Sequence, residues 1–308
     1  MTTLAPRTTA PTRTATVLGP DAWIAASADH TTRADALTAA HRARRATGEH
    51  HPIEDFLVDY YGLRPARLRR WHPGVGVLLT GPDVPQATWR WYRAHAIPAG
   101  RGVGLDVEAF RAERGSTVAY VHRLLVATAS RPAFTGCLGL HEWAMVYRQD
   151  DARRRHSLPL RLGRAGTDAV VEAHPVRCSH IDAFRFFTPA AIPLNRLRPT
   201  RENQPDLEQP GCLHATMDLL KWSLKLGPAV PGDLLLDCLA LAREVRVLDM
   251  RASPYDVTSL GESPVPIETA EGRAQYVAAQ RAFAARAAPL RQRLVETAAA
   301  VLAAPAGP

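Results

Sequence analysis

The chain has almost no lysine: of its 38 basic residues only Lys221 and Lys225 are lysine, and the rest are arginine. It also lacks any apolar run near the roughly 20 residues needed to cross a bilayer, so no membrane partner is expected. No hydrophobic signal-peptide core opens the chain, and its four cysteines, Cys137, Cys178, Cys212 and Cys238, form no C-x-x-C pair. That spacing argues against a four-thiolate zinc site and, without a secretory signal, implies reduced thiols and a cytoplasmic location. A Walker-type phosphate loop, a dinucleotide fingerprint, a G-x-S-x-G elbow and an H-E-x-x-H pair are all missing, which removes the simplest nucleotide, hydrolase and zincin assignments. No internal repeat is present.

What the chain has is 308 residues, 46% hydrophobic and 22% charged, with a net charge of +8. That is enough to bury a substantial core. The arginine excess fits codon usage in a GC-rich genome, and it equally fits a polyanionic partner gripped through guanidinium–phosphate contacts. Residues 1–20, rich in Thr, Pro and Ala, read as a disordered tail. Residues 21–308 read as one compact, mainly α domain with a few short strands, cut into pieces by 25 prolines.

Local patterns place the elements. Residues 31–47 form a polar helix stopped by Gly48, and Pro52 opens a second helix. Residues 75–81 suggest a strand and 116–129 a buried helix. Residues 158–162 and 168–173 could pair as strands, though the second could also be helical. A helix starts near Leu140, and a short one starts at Ser179 and stops at Pro189. Apolar residues recur at helical spacing through 213–226 and 234–249. An Ala/Arg-rich helix begins near residue 270 and is expected to break near Pro289.

Five stretches combine polar groups with aromatics: HHPIEDF (50–56), LHEWAMVYR (140–148), CSHIDAFRFF (178–187), GCLHATMD (211–218) and LDMRASPYD (248–256). In the second, Glu142 points away from the His141 face. In the third, Asp182 and Arg185 are spaced to pair, and His180, Phe184 and Phe187 share a face. In the fourth, Asp218 stands one turn after His214 and can orient its ring. In the fifth, Arg251 is placed to brace a turn through Asp249 and Asp256. Each stretch also has an ordinary structural account as a capped or ion-paired helix. His51, Glu54, His141, Glu142, His180, Asp182, His214 and Asp218 could together supply a metal site on facing helices, di-iron for example.

The stretches HPIEDFL, RPARLRRWHPG, GCLGLHEWAMVYR, CSHIDAFRFFTPAA, PTRENQPDLEQPGCLHATMDLLKW, LDMRASPYD and PVPIETAEGRAQY resemble a family of high-GC bacteria labelled 3-methyladenine DNA glycosylase. The resemblance covers roughly residues 50 to 290. It implies a base-excision glycosylase that hydrolyses the N-glycosidic bond of alkylated purines in double-stranded DNA, without a metal or other cofactor. The L-P-G-[VI]-G hairpin of helix-hairpin-helix glycosylases has only a partial counterpart in Pro73, Gly74, Val75 and Gly76. Asp83 falls too early to be that class's aspartate, so no catalytic residue transfers from it.

Alkylbase removal needs an ionised carboxylate to steady the sugar cation and an aromatic pocket for a cationic base. On that reading Asp182 is the carboxylate, with Glu142 the next candidate, His180 or His141 orients water, and His214 is a further catalytic candidate. Trp143, Tyr147, Phe184 and Phe187 hold the base, Arg185 keeps Asp182 ionised, and Arg67, Arg69, Arg70 and Trp71 face DNA. Two alternatives stand beside it. One is a metal-dependent helical oxidoreductase acting on a small molecule with iron or zinc. The other is a non-catalytic binding protein whose polar clusters brace loops.

Overall fold

The computed structural model describes residues 15–150 and 157–303. The chain is mainly α, with one small sheet. Residues 1–14 of the expected tail lie outside the described residues. Its last part is ordered structure instead: β1 spans Thr16–Leu18, and α1 spans Pro20–Thr47. The helix predicted from residue 31 therefore starts eleven residues earlier, because Pro20 sits at its first turn, where a missing N–H costs nothing. Gly48, at φ +74°, ends it in the left-handed conformation and donates its N–H to the Arg44 and Arg45 carbonyls.

Then follow α2 (Phe56–Tyr61), α3 (Pro65–Leu68), β2 (Val77–Leu79), β3 (Tyr92–Ile97) and β4 (Gly100–Leu105). The stretch after Pro52 is a run of turns before α2 rather than helix from its first residue. The sheet order is β1-β2-β4-β3: β1 pairs parallel to β2, and the other two pairs are antiparallel. A parallel pair needs a long crossover, and α1 lies within it.

The helical body comprises α4 (Val107–Ala129), α5 (Leu140–Ala144), α6 (Gly163–Ala173), α7 (Ile181–Phe184), α8 (Gln204–Leu207), α9 (Leu213–Leu226), α10 (Gly232–Arg251) and α11 (Ala270–Ala303). Asp106 caps α4 by accepting from the Ala109 N–H at 3.1 Å. Leu213, Met217 and Leu220 of α9 pack with Leu234, Cys238, Leu241 and Val245 of α10 in the main core, which also takes Val118, Val121 and Leu125 of α4 and Leu294 and Val301 of α11. Among the described residues no helix is long and apolar enough to cross a membrane.

For 168–173 the helical alternative holds, and the break expected in the last helix does not occur. Residues 158–162 and 168–173 are not paired strands: Leu160 makes only an isolated bridge to Tyr255, and the second segment is α6. Thr167, Val170 and Val171 are its buried residues, at spacings of three and four that suit a helix face. α11 runs through Pro289 without interruption.

Candidate functional site

The floor of the site is a pair of His/carboxylate groups built from four of the five stretches together with Glu208 and Arg246. α5 is a single turn set up by two left-handed residues, Leu138 (φ +52°) and Gly139 (φ +72°). Trp143 anchors it by donating its indole N–H to the Ala252 carbonyl at 2.9 Å. This presents both His141 and Glu142 to the interior, so Glu142 is buried rather than turned to the surface.

In the first group, His141 Nε2 lies 2.9 Å from Asp249 Oδ1 and 3.9 Å from Glu142 Oε1. Arg246 Nη1 donates to Asp249 Oδ2 at 2.9 Å and stands 3.5 Å from Glu142 Oε1. The His214 ring meets His141 edge-on, centroids 4.5 Å apart. In the second group, His180 Nε2 lies 3.0 Å from Glu208 Oε1 and 3.3 Å from Asp218 Oδ2. His214 adjoins this group too, its ring 5.3 Å from that of His180. The ligand-type atoms of His141, Glu142, His214 and Asp249 all fall within 4.8 Å of one another, as do those of His180, Glu208 and Asp218. Lys221 and Arg246 already pair with Asp218 and Asp249, so an ion in either group would have to share or displace these contacts.

Around these groups the partners are polar and largely buried. Gln204 Nε2 donates to Glu208 Oε1 at 2.6 Å. The Tyr61 hydroxyl donates to Asp218 Oδ1 at 2.8 Å, and Lys221 Nζ to Asp218 Oδ2 at 2.9 Å. Lys221 also binds Asp182, which Arg201 Nη2 grips at 2.7 Å.

Electrostatics separates the three histidines. Burial alone would lower the pKa of His180, but the Glu208 and Asp218 carboxylates more than reverse this and carry it to about 9. Burial opposes His141 likewise, and Asp249 outweighs it, so His141 is raised. In His214 burial, then the neighbouring His141 charge, outweigh the pull of Asp249 and Asp218 and hold it down to about 3. Asp182 is pulled down to about 2 against its burial by Arg201 and Lys221.

A narrow crevice with about 20 Å³ of free space, enough for a water-sized guest, lies against these groups. Phe56, Tyr60, Tyr61, Phe186 and Tyr255 wall it, while Glu142, Asp182, His214 and Arg246 supply its polar lining. The Arg246 guanidinium stacks on Phe56 at 3.8 Å.

Of the residues singled out in the sequence, His141, Glu142, His180, Asp182, His214 and Asp218 do meet here. Others do not. Asp218 serves the His180 group and Lys221, not His214. Asp182 and Arg185 pair as expected, at 3.6 Å, but Arg201 and Lys221 hold Asp182 more closely, and the exposed Arg185 also donates to the Tyr60 hydroxyl. Trp143 is sealed in the core, and Tyr147 donates to Glu172 at 2.8 Å. Phe184 and Phe187 pack on each other in the core, with centroids 5.1 Å apart, so the cavity takes its rings from other residues.

His51 accepts the Ile53 and Glu54 N–H groups, and Glu54 pairs with Arg44; neither joins the site. The expected turn of Asp249, Arg251 and Asp256 dissolves. Asp249 faces inward, Arg251 donates to the Ser263 carbonyl, and Asp256 accepts from Thr258. Arg67, Arg69 and Arg70 are exposed around α3, but Trp71 is buried against Trp23, Leu79 and Val84 and faces no partner.

Glu208, Asp249 as a ligand, and the cations Arg201, Lys221 and Arg246 did not stand out in the sequence. A signal existed for two of them. Arg246 and Asp249 are charges set one turn apart along the apolar helix 234–249, where an uncompensated charge would be costly.

Comparison with protein-family models, with curated proteins and with solved structures yields no match.

Proposed function

We propose that the chain is a metal-dependent enzyme acting on a small molecule in the aromatic-walled cavity, with His141, Glu142, His214 and Asp249 holding one ion and His180, Glu208 and Asp218 holding a neighbouring one. The observation that carries this is His180. It is fully buried, neither ring nitrogen makes a well-angled hydrogen bond, and yet Nε2 sits within 3.3 Å of two carboxylates. A shared cation would draw these three ligand atoms to one point by displacing the proton that His180 otherwise carries between Glu208 and Asp218. Imidazole and carboxylate donors suit iron, manganese or zinc.

Such an ion supplies Lewis acidity toward a substrate oxygen or electrons for redox chemistry. The chain's own groups do the rest. Gln204 and Tyr61 aim the Glu208 and Asp218 oxygens. Lys221 and Arg201 fix Asp182 ionised at the cavity wall. The rings wall a crevice that must widen to take an organic substrate. Protein purified from cells grown with iron, manganese and zinc should carry at least about one ion per chain, and Glu208→Gln and Asp249→Asn should each shed it while remaining folded. Metal-free wild-type protein from every such preparation, failing to take up any of the three ions, would end this reading.

A second reading, alkylated-base removal from duplex DNA, is favoured by Asp182 alone: an ionised carboxylate on an aromatic cavity is what that chemistry needs. Its test is release of free base from methylated DNA by metal-stripped protein, abolished in Asp182→Asn.

A further inference from the structure

α11 carries a second polar feature that the site above does not use. Arg291 is 2% exposed, and its Nε and Nη2 hydrogens find no acceptor among the described residues. A guanidinium buried without a partner is unfavourable, since it loses hydration and gains no hydrogen bond in return. Arg291 forms part of the lining of an open cleft of about 360 Å³ between α11, the end of α4 and the loop before α9. The other walls are methyl groups and one ring: Ala129, Ala133, Ala284, Ala285, Ala288 and Pro210. Arg281 and Gln292 complete the lining. Residues 281, 284, 285, 288, 291 and 292 recur at helical spacing, so a single face of α11 presents both the apolar strip and its cationic end.

We propose that this cleft binds an organic carboxylate with a short apolar tail, its head on Arg291 and its tail along the alanines. Guanidinium pairs with carboxylate through two parallel hydrogen bonds, and the two idle nitrogens of Arg291 match that fork. The small side chains leave room for a chain of methylenes, which a bare oxyanion would not fill. The cleft is separate from the aromatic cavity, with which it shares no lining residue. Glu208 of the His180 group acts on Arg291 through space, so Ala288→Trp, which leaves that group untouched, keeps the two readings distinguishable.

The probe is octanoate, titrated calorimetrically into wild-type protein beside octan-1-ol and inorganic phosphate. Octanoate should bind saturably and at least about tenfold tighter than either control, a contrast expected of a charge-assisted pair added to apolar contact. Arg291→Met should abolish octanoate binding. Because Ala288 is exposed on the cleft wall, Ala288→Trp should fill the cleft and abolish it too, with the arginine kept. Octan-1-ol binding as tightly as octanoate, phosphate doing the same, or octanoate binding undiminished in both variants would each overturn the proposal.

Discussion

His72 is largely shut away from water, with Nδ1 2.9 Å from the Tyr92 hydroxyl. Burial, then the positive charges of His30 and Arg70, hold its pKa down to about 4. The unfolded chain takes up this proton near pH 6.5, which the folded chain resists until pH 4, so stability must fall as the pH drops through that window. The loss approaches about 3 kcal/mol at the lower end. Urea melts at pH 7 and pH 4.5 should show this drop, and His72→Phe should reduce it; an unchanged drop in the variant would refute the assignment. Gly139 makes a different demand. At φ +72°, with Tyr276 only 3.3 Å from where a β-carbon would stand, Gly139→Ala should cost about 1–2 kcal/mol in denaturant melts. It should also loosen α5, and with it His141 and Glu142. The histidines and Asp182 could be picked out because polar groups beside aromatics stand out in sequence. Glu142 was misjudged for a physical reason: on a single-turn helix flanked by left-handed residues, neighbouring side chains can both face inward.

The helices bounded by glycine and proline were legible. α9 ends at Gly227 and Pro228, and the apolar spacing of α10 survives intact. Those signals act locally, on φ and on one helix face, so no tertiary knowledge is needed. α6 was open to two accounts because Val170 and Val171 favour strands by propensity, whereas their burial with Thr167 follows a helix. In α11 the expected break at Pro289 does not occur. The proline is exposed, while Ala287, Arg291 and Leu294 are buried on the other side, and this packing holds the axis through a missing hydrogen bond. Pro289→Ala should therefore stabilise the protein, by up to about 3 kcal/mol, read as a raised thermal midpoint. An unchanged or lowered midpoint would mean that the proline's fixed φ is already worth as much as the bond it forfeits.

Across the entire chain, what the sequence hid was convergence. His141 and Asp249 are 108 residues apart, and His180 finds Glu208 from a different loop. No periodicity reports such a meeting; only the packing of α9 and α10 against the loops around them creates it. The arginine excess is likewise redistributed by the fold. Arg33, Arg44, Arg161, Arg286 and Arg293 each pair with a carboxylate, so net charge alone overstates how much cationic surface is idle. The burial of His141, His180, Glu208, Asp218 and Asp249 bears on kinetics as well as affinity. An ion seated among them could leave only when the surrounding helices breathe, so its escape rate is set by local opening rather than by bond strength. Chelator should strip the loaded protein slowly in plain buffer and markedly faster in urea below the unfolding midpoint, followed by the appearance of a coloured metal–chelator complex. The protein would then act as a timer on its own cargo, keeping an ion far longer than the same donors exposed on a surface could.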